Sequence, residues 1–243
     1  MGTRIDEIAP DLFRLSTYIA KFDLQFNQFL VVDDEPLLYH TGMKGMFPQV
    51  RDAVARIIDP ATVRWIGFSH FEADECGSLN EWLSLAPRAE TLCGTIGALV
   101  NINDYTGGRT RIKASGEVLT AGRHRFRFLE TPQVPHAWDA SLLFEESGAV
   151  LFCSDLFLQN GDLCPVTEED LVEPSRQTLL AYEAGPLPHA FPYASWTDDT
   201  LRMLAGLSPK LIAAMHGSSY RGDGARALRD LAAMYAATLG QGK

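Results

Sequence analysis

Ser69-His70-Phe71-Glu72-Ala73-Asp74 directly follows the apolar run Val63 to Phe68 and precedes a helical stretch, Cys76 to Leu85. A polar cluster between a strand and a helix lies at the carboxyl end of that strand, the edge of an α/β sheet where ligands bind. His70, Glu72 and Asp74 occupy alternate positions, and alternate side chains leaving an extended strand point to one side. Three potential ligands therefore emerge together.

Upstream, Phe47 to Ile58 carries Val50, Val54, Ile57 and Ile58 at helical spacing, and Asp59-Pro60 stops that helix before the strand. Earlier still, Asp11 to Tyr18, Asn27 to Val32 and Pro36 to His40 read as a β-meander, with Asp33-Asp34-Glu35 as a hairpin turn. Downstream come a short strand at Thr91 to Cys93, a helix from Ile96 to Ile102 and a loop at Tyr105 to Gly108. Arg111 to Lys113, Val118 to Leu119, Arg123 to Glu130, Ala140 to Phe144 and Ala149 to Cys153 then read as a second sheet, with Ser147-Gly148 as a turn. Helices at Ser175 to Ala184 and Asp198 to Leu207, a strand Leu211 to Ala214 and a helix Ala225 to Leu239 close the chain. Two β-rich halves, each with its own helices, predict an α+β fold: an αββα sandwich of two mixed sheets packed face to face with helices outside, one domain over residues 1–243.

Three more candidate ligands fall at strand ends or loops. His136 lies in the irregular segment Thr131 to Asp139, Asp155 follows the strand ending at Cys153 by one Ser, and His216-Gly217 follows Leu211 to Ala214 by one Met. A lone strand-end Asp is usually a turn or cap residue, and a lone His is more often structural than a ligand. Four sites delivering three imidazoles and three carboxylates are another matter, because first-row transition metals take these donors.

Composition excludes several function classes. The formal net charge is -10 with no Lys/Arg run, so a phosphate backbone is repelled and no nucleic-acid partner is expected. The first ten residues lack the pattern of a signal peptide, and no segment approaches the ~20 apolar residues of a membrane span, so a cytoplasmic protein without a membrane partner is expected. Cys76, Cys93, Cys153 and Cys164 form no C-x-x-C and read as reduced, mostly buried thiols.

The ordered set resembles the metallo-β-lactamase superfamily, and within it the flavodiiron proteins and the oxygen-binding di-iron proteins that lack a flavodoxin domain. The resemblance spans roughly Asn27 to Gly217 and rests on His70-x-Glu72-x-Asp74, on His136 followed by Trp138 and Asp139, on Asp155-Leu156-Phe157 and on His216-Gly217. It implies two iron ions working between the ferrous and ferric states with an oxo or carboxylate bridge, one held by His70, Glu72 and His136, the other by Asp74 and His216, with Asp155 bridging. Dioxygen, and NO as a second diatomic ligand, is the implied partner of a sensor, carrier or oxidoreductase.

Two departures from the family pattern bear on function. Glu75 stands where the superfamily commonly has a His after the Asp, and is open to three readings: a seventh ligand, a group supporting the ligands, or an exposed residue. Flavodiiron proteins carry a flavodoxin domain that this chain is too short to hold, so no FMN is expected within it and any electrons are expected from a separate donor protein or a small reductant. The same departure removes the main reason for the homodimer of those relatives.

The hydrolytic members of the fold hold zinc mainly with histidines. Here Glu72 and the residue after Asp74 are carboxylates, which favours an oxidisable metal pair over a zinc-bound nucleophile. A dinuclear zinc hydrolase using Asp139 or Glu75 to carry protons is the alternative, and a binding module keeping metal for structure a third. The aromatic loop His189 to Trp196 occupies the place of a flavodiiron segment near the metal pocket; Tyr193 is a candidate catalytic residue there, and Phe71, Phe157, Tyr193 and Trp196 are expected to exclude water. His40, His124 and His189 read individually as structural or exposed.

Overall fold

The computed structural model describes residues 2–240. Sheet one runs in the order β1 (Arg4–Ala9), β2 (Leu12–Ile19), β3 (Leu24–Val31), β4 (Leu37–Tyr39), β5 (Trp65–Gly67), β6 (Glu90–Cys93) and β7 (Thr110–Ile112). Its first four strands are an antiparallel meander and its last four are parallel. The crossovers are helical: α1 (Phe47–Val54), then α2 (Ala73–Cys76) and α3 (Leu79–Leu85), then α4 (Thr95–Gly97), a π-helical turn (Ala98–Ile102) and α5 (Asn103–Thr106). Sheet two adds β8 (Val118–Ala121), β9 (His124–Glu130), β10 (Ser141–Glu145), β11 (Val150–Ser154), β12 (Val166–Thr167), β13 (Leu211–Ala214) and β14 (Ser219–Arg221), in the spatial order β12-β14-β13-β11-β10-β9-β8. Helices α6 (Val172–Glu183), α7 (Thr197–Gly206) and α8 (Gly224–Thr238) cover it.

Strand alternation sorts the core into layers, because successive side chains face opposite sides of a sheet. Phe29, Tyr39, Trp65, Phe126, Phe128 and Phe152 belong to the cluster between the sheets, where the Phe152 ring meets Phe29 at 5.7 Å and Tyr39 at 5.1 Å. Their neighbours Leu30, Leu38, Ile66, Leu151 and Ile212 join a second cluster with Val50, Trp82, Leu201 and Leu228 of the helices. The expected sandwich is therefore the observed one. Cys76, Cys93 and Cys153 are buried as expected, whereas Cys164 is exposed.

The differences are local. Thr110–Ile112 overlaps the predicted Arg111 strand but extends the first sheet, pairing parallel to β6, and not the second. The single helix expected over Cys76 to Leu85 is two pieces, starts at Ala73, and breaks at Gly77 and Ser78. The strands β1, β12 and β14 are additional. The first lines the edge of the meander, and the other two close the second sheet around the chain that leaves β11 and β13.

Candidate metal centre

β5 stops at Gly67, where a side chain has no room: a Cβ there would stand 2.7 Å from the Tyr39 ring. The chain turns, Glu72 sits in extended conformation as the N-cap of α2, and Asp74 and Glu75 enter its first turn. The Ser69 carbonyl accepts hydrogen bonds from the backbone N–H (2.9 Å) and hydroxyl (3.1 Å) of Ser141 on β10, fastening this loop to the other sheet. From sheet two, the β9–β10 loop carries His136 and folds back through left-handed residues at Gln133 and Ala137, with a Gln133 N–H to Ala137 carbonyl bond of 2.8 Å. Ser154, also left-handed, breaks the β11–β13 register and turns Asp155 inward.

His216 leaves the parallel neighbour β13. Gly217 behind it has φ +103 and no space for a Cβ, which would meet Gln159 at 2.7 Å. The buried Arg14 and Asn27 both donate to the Gly217 carbonyl, at 3.0 and 2.9 Å. The six predicted ligands therefore come from both sheets and meet at one edge.

Their geometry is divided. His70 Nε2 lies 2.9 Å from Glu72 Oε2, and His136 Nε2 lies 3.6 Å from the same oxygen. His216 Nε2 lies 3.4 Å from Asp74 Oδ2. Asp155 stands between the two groups: its Oδ2 is 3.0 Å from His136 and 3.7 Å from His70, while its Oδ1 is 3.1 Å from His216. All three imidazoles present Nε2. For His216 the reason is visible, since Nδ1 donates to the Gln25 carbonyl at 2.7 Å and leaves Nε2 free to take a cation.

Electrostatics tests whether these donors suit cations. Burial works against charge on His216, yet its hydrogen bonds to Asp155 and Asp74 outweigh that and raise it to about 10. Burial likewise opposes charge on His70, but Glu72 by hydrogen bond, and Glu75 and Asp155 by charge, raise it to about 9. Asp155 is held well below the usual carboxylate range despite its burial, chiefly by His136 and His216. A carboxylate group that draws protons this strongly onto buried imidazoles is short of positive charge. Metal cations would supply that charge, and the donor set fits them.

Glu75 is not exposed: it is wholly buried behind His70. Its Oε2 accepts from the Ser69 N–H at 2.8 Å and lies 3.2 Å from His40 Nε2; its Oε1 accepts from the Ser154 hydroxyl. The donor atoms of His70, Glu75 and Asp155 lie within 4.8 Å of one another, as do those of His70, Glu72 and His136. In the first trio, however, both carboxyl oxygens of Glu75 are already engaged, by Ser69, Ser154 and His40. Burial pushes Glu75 up to about 8, against the pull of His70, and pushes His40 down to about 3. His40 Nδ1 faces the Asn27 carbonyl at 3.2 Å, so its Nε2 is the nitrogen turned to Glu75.

The aromatic loop reaches the site through a different residue from the one expected. Phe191, buried, meets the His136 ring edge-on at 5.5 Å, while Tyr193 packs where a Cβ on Gly240 would touch its ring at 3.4 Å. Trp196 is 46% exposed, its indole donating to the Pro132 carbonyl, and Phe71 is 40% exposed against Tyr105. Phe157 is buried as expected. Phe26 covers His216 at 5.2 Å. Asp139 accepts from the Phe71 N–H at 3.2 Å and so braces the loop. Phe26, Gln25 and Asn27 carried no signal in the sequence, because ordinary strand residues acquire these roles only when the sheets meet, and the composition of the aromatic loop does not say that Phe191 is the ring that faces His136. His189 is exposed beside Glu183, and His124 pairs with Glu145 at 3.2 Å.

With the geometry established, comparison with known proteins places it. The model of the family described as ODP family beta lactamase matches residues 24–217. The rubredoxin-oxygen oxidoreductase of Megalodesulfovibrio gigas is 24% identical over 202 residues, covering 81% of this chain and 49% of that protein. The nitric oxide reductase of Moorella thermoacetica is 25% identical over 137 residues, covering 56% and 34%. The chain thus spans about half or less of the length of the curated relatives it matches. Among solved structures, a mutant flavo di-iron protein from Thermotoga maritima superposes with TM-score 0.79 at 20% identity, over 95% of this chain and 60% of that one. The metal-soaked flavodiiron core from Synechocystis gives 0.78 at 20% identity, over 98% and 61%. These likenesses establish a shared fold.

Proposed function

Because the chain belongs to the ODP family of β-lactamase-fold proteins, we infer that it is a non-haem di-iron protein that binds or reduces dioxygen, with NO as a second diatomic ligand. The observation that carries this reading is Asp155, which offers one oxygen to His136 and His70 and the other to His216. His70, Glu72 and His136 would hold one iron, Asp74 and His216 the other, with Asp155 shared. Iron held there supplies one-electron chemistry and affinity for diatomic ligands. Three carboxylates among six donors favour it over zinc, since anionic ligands stabilise the oxidised state.

The chain's own residues do the rest. The Gln25 carbonyl fixes the tautomer of His216, Phe26 and Phe191 pack edge-on against the rings of His216 and His136, and Glu75 supports the loop of His70. Relatives named for oxygen and nitric oxide reduction support the ligand class. On this reading electrons for reduction come from a separate donor protein. A docking face for it is supported by exposed Phe71, Ile96, Leu99, Val100 and Trp138, on segments joined through Asp139 and Tyr105 beside the site.

Metal analysis of freshly purified protein, with absorption spectra of the reduced iron form before and after O2, tests the reading. Two irons per chain and a coloured species on adding O2 are expected. Zinc with no spectral change, together with esterase turnover, would replace it with a hydrolase.

A further inference from the structure

A buried cation stands behind His216. Arg14, on β2, is 0% exposed, and its one ion-pair partner among the described residues, Asp6 on β1, lies 3.5 Å away. Burial pulls the guanidinium down to about 10, so it remains charged at neutral pH. A charge kept out of water is costly unless it is paired and hydrogen-bonded, yet Nε and Nη1 of Arg14 have no hydrogen-bond partner. Its hydrogen bonds both leave from Nη2, to Gln25 Oε1 at 3.1 Å and to the Gly217 carbonyl at 3.0 Å.

Both acceptors bear on His216. The Gln25 backbone carbonyl accepts from His216 Nδ1 at 2.7 Å, and Gly217 is the next residue in the chain. Arg14 therefore joins the residue that fixes the imidazole to the turn that carries it. The Gln25 amide is held at its other end as well, donating to Asp162 Oδ1 at 2.9 Å and to the Leu163 carbonyl at 3.1 Å. Attachment of the turn to sheet one does not depend on Arg14. Asn27 Nδ2 donates to the Ala214 and Gly217 carbonyls, both at 2.9 Å, and the Asn27 backbone N–H to the Met215 carbonyl at 2.9 Å. With that attachment provided by Asn27, what Arg14 adds is the link between Gln25 and Gly217.

We propose that Arg14 is a positioning residue of the metal centre, holding His216 in the orientation its ion needs by gripping the residue that fixes Nδ1 and the residue that follows the ligand. The proposal rests on the reading of His216 as a metal ligand. It makes the two metal positions unequal: among the described residues Arg14 makes no hydrogen bond to the segments that carry His70, Glu72 and His136, so its influence falls on the ion assigned to Asp74 and His216.

Arg14→Met tests this, since it removes the guanidinium, keeps an unbranched side chain, and leaves Asp6, 27% exposed, within reach of water. On the full chain stripped of metal, hydrogen exchange at His216 Nδ1, followed by nitrogen NMR of the imidazoles, should be about tenfold faster than in the parent, with circular dichroism unchanged. Competitive titration with cobalt(II) should show one ion bound about tenfold more weakly and the other unchanged, the usual scale for losing a group behind a ligand. Adding Gln25→Ala to Arg14→Met should weaken that ion no further, because the two residues act as a unit. Gln25→Ala alone should show the same selective loss, and it decides the matter if Arg14→Met does not fold. An Arg14 that only braces the fold would lower the urea midpoint and leave both the exchange at His216 and the ratio of the two affinities as in the parent. That result would overturn the proposal, as would additive losses in the double variant. A parent chain that takes up fewer than two ions would remove the metal reading instead, while exchange at His216 still decides whether Arg14 positions the ring.

Discussion

Glu75 is the residue whose chemistry departs most from its sequence appearance. An acidic residue next to Asp74 could belong on a surface, yet it is buried, which pushes its carboxyl up, with three polar partners around it. Glu75→Gln keeps a neutral group of the same shape, and we expect iron affinity within about threefold of the parent. Glu75→Ala removes the support of the Ser69 loop and should cost about 10–100-fold, the usual effect of losing a group behind a ligand. Competitive metal titration separates the two, and equal losses would mean that the charge of Glu75 matters. Asp155→Asn should reduce bound iron from two per chain to one or none, read by metal analysis on protein whose far-ultraviolet circular dichroism is unchanged. The six proposed ligands were legible because each follows a recognisable strand or turn in the chain. The groups packed on them were not: Phe191, rather than Tyr193, touches His136, a choice made by how the loop folds rather than by its composition.

Elements with strong periodicity read well from sequence, and those formed by pairing did not. Leu211–Ala214 matched to the residue, and α8 within one residue at each end, since an apolar run and a 3.6-residue period are local signals. β12 has two residues and β14 three, too short to carry a pattern, and they exist through pairing: β14 adds to β13 and β12 adds to β14. β7 was legible as a strand, but its sheet was not, because partner choice depends on the crossover packing. A Cβ at Gly67 would meet the Tyr39 ring at 2.7 Å, so Gly67→Ala should destabilise the fold by about 1–3 kcal/mol through crowding of Tyr39, measured as a lower urea midpoint. The β9–β10 pair His124 and Glu145 predicts a pH dependence. Burial opposes charge on Glu145, but His124 and the N–H groups of Gly148 and Ser147 hold it at about 2, while Glu145, 3.2 Å from Nδ1, raises His124. The Glu145 contribution is present above its unfolded value near 4.5 and is lost as pH falls through about 2; that of His124 is present below 6.5 and lost as pH rises through its raised value. Glu145→Gln should therefore be least stable relative to the parent between about pH 4.5 and 6.5, with the gap closing towards acid in urea unfolding. A gap independent of pH would remove the ion pair from the account.

At the scale of the molecule, the proposed ligands divide evenly between the halves: His70, Glu72 and Asp74 follow sheet one, while His136, Asp155 and His216 come from sheet two. Cations held there bind the folded chain and not the unfolded one, so they stabilise it by mass action. Chelation should lower the melting temperature by about 5–10 °C for metals bound well above their dissociation constants, checked by calorimetry with and without iron restored. No change on chelation would separate metal loading from the stability of the sandwich. Among the described residues no helix is long and apolar enough to cross a membrane. The division of ligands between the halves also sets a timetable for biosynthesis. The last proposed ligand, His216, is added 142 residues after Asp74 (216 − 74), which at the usual pace of translation is roughly 7–30 s. Through that interval the nascent chain displays half of the proposed site, so on this reading both irons would be held only once His216 has been added, and a chain interrupted before it would lack a proposed ligand of the second metal.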